Sequence, residues 1–148
     1  MKKRIMAVGP VGTGKSTLIQ RLYQGSDVKK TQSLEFETNS IDTPGEFVEN
    51  PFYHHCLFAT ALEADLIVFL QDATVDQMLF PPGFATGFPK KSMGVVTKID
   101  KEGADIARAI RILQTLDTTE AVFMPVSAVS GEGLPELRSY IEEFFHNQ

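Results

Sequence analysis

The pattern of apolar and polar residues marks five short strand candidates along the chain, Arg4–Gly9, Asn39–Asp42, Leu66–Leu70, Met93–Thr97 and Val122–Pro125. Most are β-branched or otherwise apolar and are bounded by turn residues, the pattern of strands buried on both faces. Between them the period changes to that of a helix. Lys15–Gln24 carries Leu18, Ile19 and Leu22, and Gly103–Leu116 carries Ile106, Ala109, Ile110 and Leu113. Pro51–Ala64 opens with a proline suited to a first helical turn. Leu134–Phe145 has Pro135 near its start and an apolar stripe of Leu137, Tyr140, Ile141, Phe144 and Phe145. Strands alternating with helices predict an α/β fold, a mostly parallel sheet of about five to six strands with helices on both faces. In such a sheet a ligand binds at the carboxyl ends of the strands.

One segment breaks the alternation. Leu79–Pro89 stands where a crossover helix is expected, yet it holds two glycines, three prolines and three phenylalanines. Its rings either pack on their own domain or present a docking surface, and the pattern leaves both open.

With 148 residues there is room for one domain, spanning 1–148. Hydrophobic residues make up 43% and charged residues 22%, so the composition is that of an ordinary globular protein. The net charge of −5 argues against a general nucleic-acid or anionic-membrane surface, which needs a basic field. The single cysteine, Cys56, excludes an internal disulfide and fits a reducing compartment. The basic start, Lys2-Lys3-Arg4, is followed by only four apolar residues before Gly9 and Pro10, which makes a first strand rather than a signal peptide. No stretch reaches transmembrane length, so the expectation is a cytoplasmic protein.

The chemistry begins at Gly9-Pro10-Val11-Gly12-Thr13-Gly14-Lys15-Ser16, a complete G-x-x-x-x-G-K-[ST] phosphate-binding loop. It follows a predicted strand and opens a predicted helix, the setting that aims backbone N–H groups at a polyphosphate. Gly12 and Gly14 let the backbone close round the phosphates. Gly12 to Thr17 would form the cradle, with Lys15 on the β- and γ-phosphates and the Ser16 hydroxyl on Mg2+.

The rest of the chain selects the nucleotide. Asp42 ends the second strand and is followed by Thr43-Pro44-Gly45; the carboxylate can hold Mg2+ and the Gly45 N–H can meet the γ-phosphate. The fourth strand ends in Thr97-Lys98-Ile99-Asp100. Asp100 can accept from the N1–H and N2 amine of guanine, while adenine would leave it unpaired. The Lys98 stem can lie along the base, and Ser127-Ala128 can bring a backbone N–H towards the guanine O6.

In this order, these elements resemble the small-GTPase superfamily. Lys29-Lys30-Thr31-Gln32 leading to Asp42-Thr43-Pro44-Gly45-Glu46 narrows the likeness: the chain is similar throughout to the EutP/PduV family of ethanolamine- and propanediol-utilisation proteins. The resemblance implies a bacterial protein linked to microcompartments, with a shell or enzyme partner and an activating protein.

Several residues bear on rate. Asp42 lies 27 positions after Lys15, so the intervening loop has little slack, and Thr31 is its candidate to complete the Mg2+ shell. Glu46 stands where many relatives carry a water-orienting glutamine. A carboxylate facing a γ-phosphate would be repelled or hold its proton. Val11 places a branched side chain where an arginine finger needs space. Lys15, Thr31, Gly45 and Glu46 are thus the candidate catalytic residues, with slow GTP hydrolysis expected. His54, His55 and Cys56 are adjacent, and neighbouring helical positions point apart, so a surface helix turn is expected there rather than a metal centre. Two other functions stay open: an ATP-dependent phosphotransferase of acetate-kinase type, and a nucleotide-binding scaffold without significant catalysis.

Overall fold

Five parallel strands form one sheet in the order β2-β1-β3-β4-β5. The computed structural model describes residues 4–10, 12–24, 41–42, 49–77 and 80–147; for residues 23, 24, 41 and 42 the description covers the backbone alone. The strands are β1 (Ile5–Val8), β2 (Ile41–Asp42), β3 (Leu66–Asp72), β4 (Lys91–Thr97) and β5 (Phe123–Pro125). The helices are α1 (Lys15–Gln24), α2 (His54–Thr60), α3 (Ile106–Gln114) and α4 (Leu134–His146). Every expected strand is present; residues 39 and 40 of the second expected strand lie outside the described residues.

Although the central strands are buried on both faces, their side chains alternate between two cores, as the strand period demands. Ile5, Ala7, Leu66, Val68, Leu70, Met93 and Val95 join Leu18 and Leu22 of α1 and Leu137 and Ile141 of α4. Met6, Val8, Ile67, Phe69 and Val96 join Leu57 of α2 and Ala109 and Leu113 of α3. Helices therefore cover both faces. The first core is further tied by Arg138 of α4, whose Nε donates to the Leu22 carbonyl (2.7 Å) and Nη2 to the Arg21 carbonyl (3.3 Å). Those carbonyls belong to the last turn of α1, where intrahelical donors run out.

Two helices differ from expectation in their bounds by more than one residue. Pro51–Ala64 is not one helix but a 3-10 turn (Pro51–Tyr53), α2, and a second 3-10 turn (Ala61–Glu63). Asn50 Oδ1 accepts the Phe52 N–H at 3.0 Å and starts the first turn. The last turn tightens, with the Ala64 N–H on the Ala61 carbonyl at 3.0 Å, because the chain must leave the helix to enter β3. At α3 the carboxylate of Asp105 accepts the Arg108 N–H (3.0 Å), an N-cap that starts the helix at Ile106 rather than at Gly103.

The aromatic segment before β4 packs on its own domain. Phe80, Phe84 and Phe88 are 1%, 6% and 5% exposed. Their rings lie 5.6, 6.1 and 5.3 Å from that of Phe69 on β3, spacings typical of edge-to-face pairs. The Gly83 and Ala85 N–H groups donate to the Thr115 and Leu116 carbonyls just beyond α3 (2.7 and 3.1 Å). Phenylalanine rings thus cover the face that a crossover helix was expected to cover. Among the described residues, no helix is long and apolar enough to cross a membrane.

Candidate nucleotide site

Strand β1 delivers Gly9 and Pro10 to the carboxyl edge of the sheet, and α1 begins at Lys15. Between them Gly12 and Gly14 adopt φ of 87° and 96°, the left-handed region where a side chain is strained. A Cβ on Gly12 would meet nothing within 4 Å, so conformation rather than space requires glycine there. Thr13 is buried, and its hydroxyl donates to the Pro10 carbonyl at 2.6 Å. Lys15, 8% exposed, lies back along the loop and donates from Nζ to the Gly9 carbonyl (2.8 Å) and the Pro10 carbonyl (3.4 Å). Ser16 and Thr17 are exposed on the first turn of α1.

The ends of β3 and β4 are level, with Asp72 opposite Thr97. From there the buried Thr97 hydroxyl reaches the Thr13 carbonyl at 2.9 Å, joining the end of β4 to the phosphate loop. Lys98 follows with φ 61°, a left-handed conformation costing about 1–3 kcal/mol in a non-glycine residue. Its ammonium donates to the Gly12 carbonyl and forms an ion pair with Asp72 Oδ2 at 3.1 Å. The other carboxylate oxygen, Oδ1, accepts the Thr74 N–H (2.9 Å) and hydroxyl (2.6 Å). Burial pushes the Asp72 carboxyl upward, but the Thr74 hydrogen bonds and the Lys98 ammonium together outweigh it, and the net shift is below the ordinary 3.8. Asp72 was not among the residues expected from sequence. Its signal was there: a carboxylate two positions beyond the apolar run Leu66–Leu70, at the carboxyl edge of the sheet.

On the base side, the exposed Asp100 accepts the Ser127 hydroxyl on Oδ1 at 2.7 Å. Ser127 is fully buried, and its oxygen accepts the Ser130 N–H at 3.0 Å. The Ser127 N–H donates to the Glu132 carbonyl (2.8 Å), and its carbonyl accepts the Gly131 N–H (2.9 Å). This closed turn carries Ala128 and fixes Asp100, whose carboxylate has lone pairs beyond the one that Ser127 uses. A cavity of ≈ 200 Å³ joins the two sides: Thr13 and Gly14 of the loop line it together with Leu18, Thr97, Lys98, Asp100, Val126, Ala128 and Val129. That is below the ~300–1,000 Å³ of pockets for drug-sized ligands, and has room for about one ring system.

The structure therefore brings together Gly9, Gly12, Thr13, Gly14, Lys15, Ser16, Thr17, Thr97, Lys98, Asp100, Ser127 and Ala128 at one edge of the sheet. Val11, Thr31, Gly45 and Glu46 lie outside the described residues, as does the Lys29–Gln32 segment. The backbone of Asp42 pairs opposite Ala7 in the sheet, which puts this residue at the same edge. The donor types at Ser16 and Asp42, a hydroxyl and a carboxylate, suit a hard cation such as Mg2+. The His54 ring packs 4.8 Å from that of Phe84, and His55 Nε2 is 3.6 Å from Cys56 Sγ. No group of three or more potential metal ligands occurs among the described residues.

Known proteins share both the sequence and the fold. The chain is 35% identical over 124 residues to "Probable acetate kinase EutP" of Escherichia coli (strain K12), covering 82% of this chain and 78% of that one. It is 32% identical over 136 residues to "Propanediol utilization protein PduV" of Citrobacter freundii, covering 91% and 90%. In structure it is similar to signal recognition particle receptor SRb-GDP from Chaetomium thermophilum, with TM-score 0.64, 14% identity and 97% and 99% of the two chains covered. Translation elongation factor SelB from Methanococcus maripaludis, in its apo form, superposes on all of this chain and 35% of its own, with TM-score 0.64 and 19% identity. The fold is that of the P-loop GTPases. Residues 2–143 match the family PduV-EutP, ethanolamine utilisation - propanediol utilisation, and the chain belongs to that family.

Proposed function

We propose that the protein binds GTP and GDP with Mg2+ and hydrolyses GTP slowly, in the service of ethanolamine or propanediol utilisation. The observation that carries this reading is the single cavity running from Thr13 and Gly14 to an Asp100 carboxylate held by Ser127. A fixed acceptor beside an apolar slot rewards a base with two adjacent donors, which guanine has and adenine lacks. Lys98 flanks the base with its stem, and Ala128 offers a backbone N–H to the O6. Along the loop, Gly9 to Thr17 hold the phosphates, with Lys15 on the β- and γ-phosphates. Ser16, Thr31 and Asp42 would hold Mg2+, which supplies charge neutralisation at the phosphates. Gly45 would report the γ-phosphate, while Glu46 and Val11 keep intrinsic hydrolysis slow and leave acceleration to an activating protein.

A cytoplasmic protein with this activity would act as a switch or timer at a bacterial microcompartment, through a shell or enzyme partner. Its net charge of −5 favours neither nucleic acid nor an anionic membrane. A second reading draws on the relatives named probable acetate kinase: phosphoryl transfer from ATP to a small carboxylic acid. Among the described residues that line the cavity there is no arginine, the usual bidentate partner of a carboxylate. Affinities for GDP and ATP measured side by side separate the readings, with Asp100→Asn as control. GDP preference that moves towards xanthine nucleotides in the variant is the expected result. Equal or tighter ATP binding would reject guanine readout and favour phosphotransfer.

A further inference from the structure

Asp72 is a buried carboxylate, 6% exposed, and burying a charge is unfavourable unless it is paired and hydrogen-bonded. Its partners explain its position. Thr74 clamps Oδ1 through its N–H and hydroxyl, which leaves Oδ2 directed at the Lys98 ammonium 3.1 Å away. The same ammonium donates to the Gly12 carbonyl in the phosphate loop. Lys98 also lines the cavity beside Asp100. One side chain thus spans the base side and the phosphate side, and its charged end is held from below by a fixed anion.

We infer that Asp72 is a positioning residue for nucleotide binding: it pins the Lys98 ammonium on the Gly12 carbonyl and so sets the phosphate loop and the wall of the base cavity in one geometry before ligand arrives. This rests on the guanine-nucleotide reading for its ligand, though not for its effect on the empty loop. Without Asp72, the Lys98 side chain, already 34% exposed, would be drawn to water. The Gly12 carbonyl would then lose its tether, and the N–H groups of the loop would have to be ordered at the moment of binding, at the expense of affinity. Charge is essential to the part. An asparagine can still accept from Thr74, but the atom then facing Lys98 is an amide nitrogen, which cannot accept from an ammonium.

The test is a double-mutant cycle on the full chain with Asp72→Asn, Lys98→Met and both together. Release of a fluorescent GDP analogue is followed by stopped flow, and backbone amide exchange at residues 12–14 by NMR in nucleotide-free protein. Each single variant should release nucleotide about 10- to 100-fold faster, the scale of a lost hydrogen bond to a charged group. The double variant should stay within about twofold of Lys98→Met, since Asp72 acts only through Lys98. Exchange at residues 12–14 should quicken in both single variants. If Asp72 served only the Thr74 turn, the two effects would multiply, and the inference would fall. It falls equally if release from Asp72→Asn matches wild type. Should the Asp72→Asn protein not fold, Lys98→Met decides alone, since it keeps the Thr74 contacts; an unchanged loop exchange rate then overturns the inference. Wild-type protein that binds no GDP would reject the guanine reading, while the exchange rates would still decide the part played by Asp72.

Discussion

Replacing Thr97 with valine removes one hydroxyl and little else. The two side chains have nearly the same shape, so no cavity forms, and any effect reports the hydrogen bond. The single hydroxyl proton has two acceptors in reach, the Thr13 carbonyl at 2.9 Å and the Gln71 carbonyl at 3.5 Å, and the shorter bond takes it. Thr97 is 5% and Thr13 3% exposed, so little solvent reaches the stranded acceptor. An acceptor stranded in this way costs about 1–3 kcal/mol. At ~2–4 °C per kcal/mol for a domain of this size, the melting temperature should drop by about 2–12 °C. Thr97→Ser keeps the hydroxyl and loses only a methyl group, a change on the scale of Ile→Val, about 0.5–1.5 kcal/mol. Urea unfolding of nucleotide-free protein should therefore rank wild type above serine and serine above valine. GDP release should quicken in the valine variant and hardly in the serine variant. Valine as stable as wild type, or serine less stable than valine, would refute the reasoning and assign the contribution of Thr97 to packing.

Two further outcomes follow from burial and charge. Phe84→Ala should destabilise the domain by about 3–5 kcal/mol in chemical denaturation, while GDP affinity of the folded fraction stays unchanged; lost affinity at full stability would mean that the ring serves the site instead. The Asp72 carboxyl titrates below its ordinary 3.8, so its stabilisation is complete above that pH and disappears as pH falls through the lowered value. Stability measured against pH should accordingly show a gap between wild type and Asp72→Asn that is constant at neutral pH and closes on the acid side; a gap that persists at the lowest pH would show that the charge is not its source.

Much of this fold was legible because its signals are local. A buried parallel strand is a short apolar block, and a sheet-covering helix is an apolar stripe, so β1, β3, β4, β5 and all four helices could be placed from composition and period. The start of α3 moved because Asp105 caps it, and Pro51–Ala64 broke up because its first and last turns tighten to 3-10 geometry. The residues proposed for phosphate and base could be picked out because they fall in short runs, Gly9–Thr17, Thr97–Asp100 and Ser127-Ala128. What joins these runs could not. The Asp72–Lys98 pair requires knowing that β3 and β4 are neighbours in register, and the Ser127–Asp100 bond closes across 27 residues. Ser127 was expected near the base for its backbone, whereas its side chain is what steadies Asp100. The direction of Phe80, Phe84 and Phe88 was equally undetermined, since it depends on which face of β3 carries Phe69.

The grip of Arg138 on the Leu22 and Arg21 carbonyls has a consequence for the order in which the protein matures. Helix α1 is held at its start by the phosphate loop and at its end by α4, the thirteen residues Leu134–His146. During synthesis the chain emerges from its N-terminus, so Gly9–Ser16 leaves the ribosome early and α4 late. A nascent chain interrupted before Leu134 would carry every motif of the site and lack the brace beneath it. On the proposed function, competence to hold nucleotide arrives with α4, so binding would report that synthesis has passed Leu134–His146.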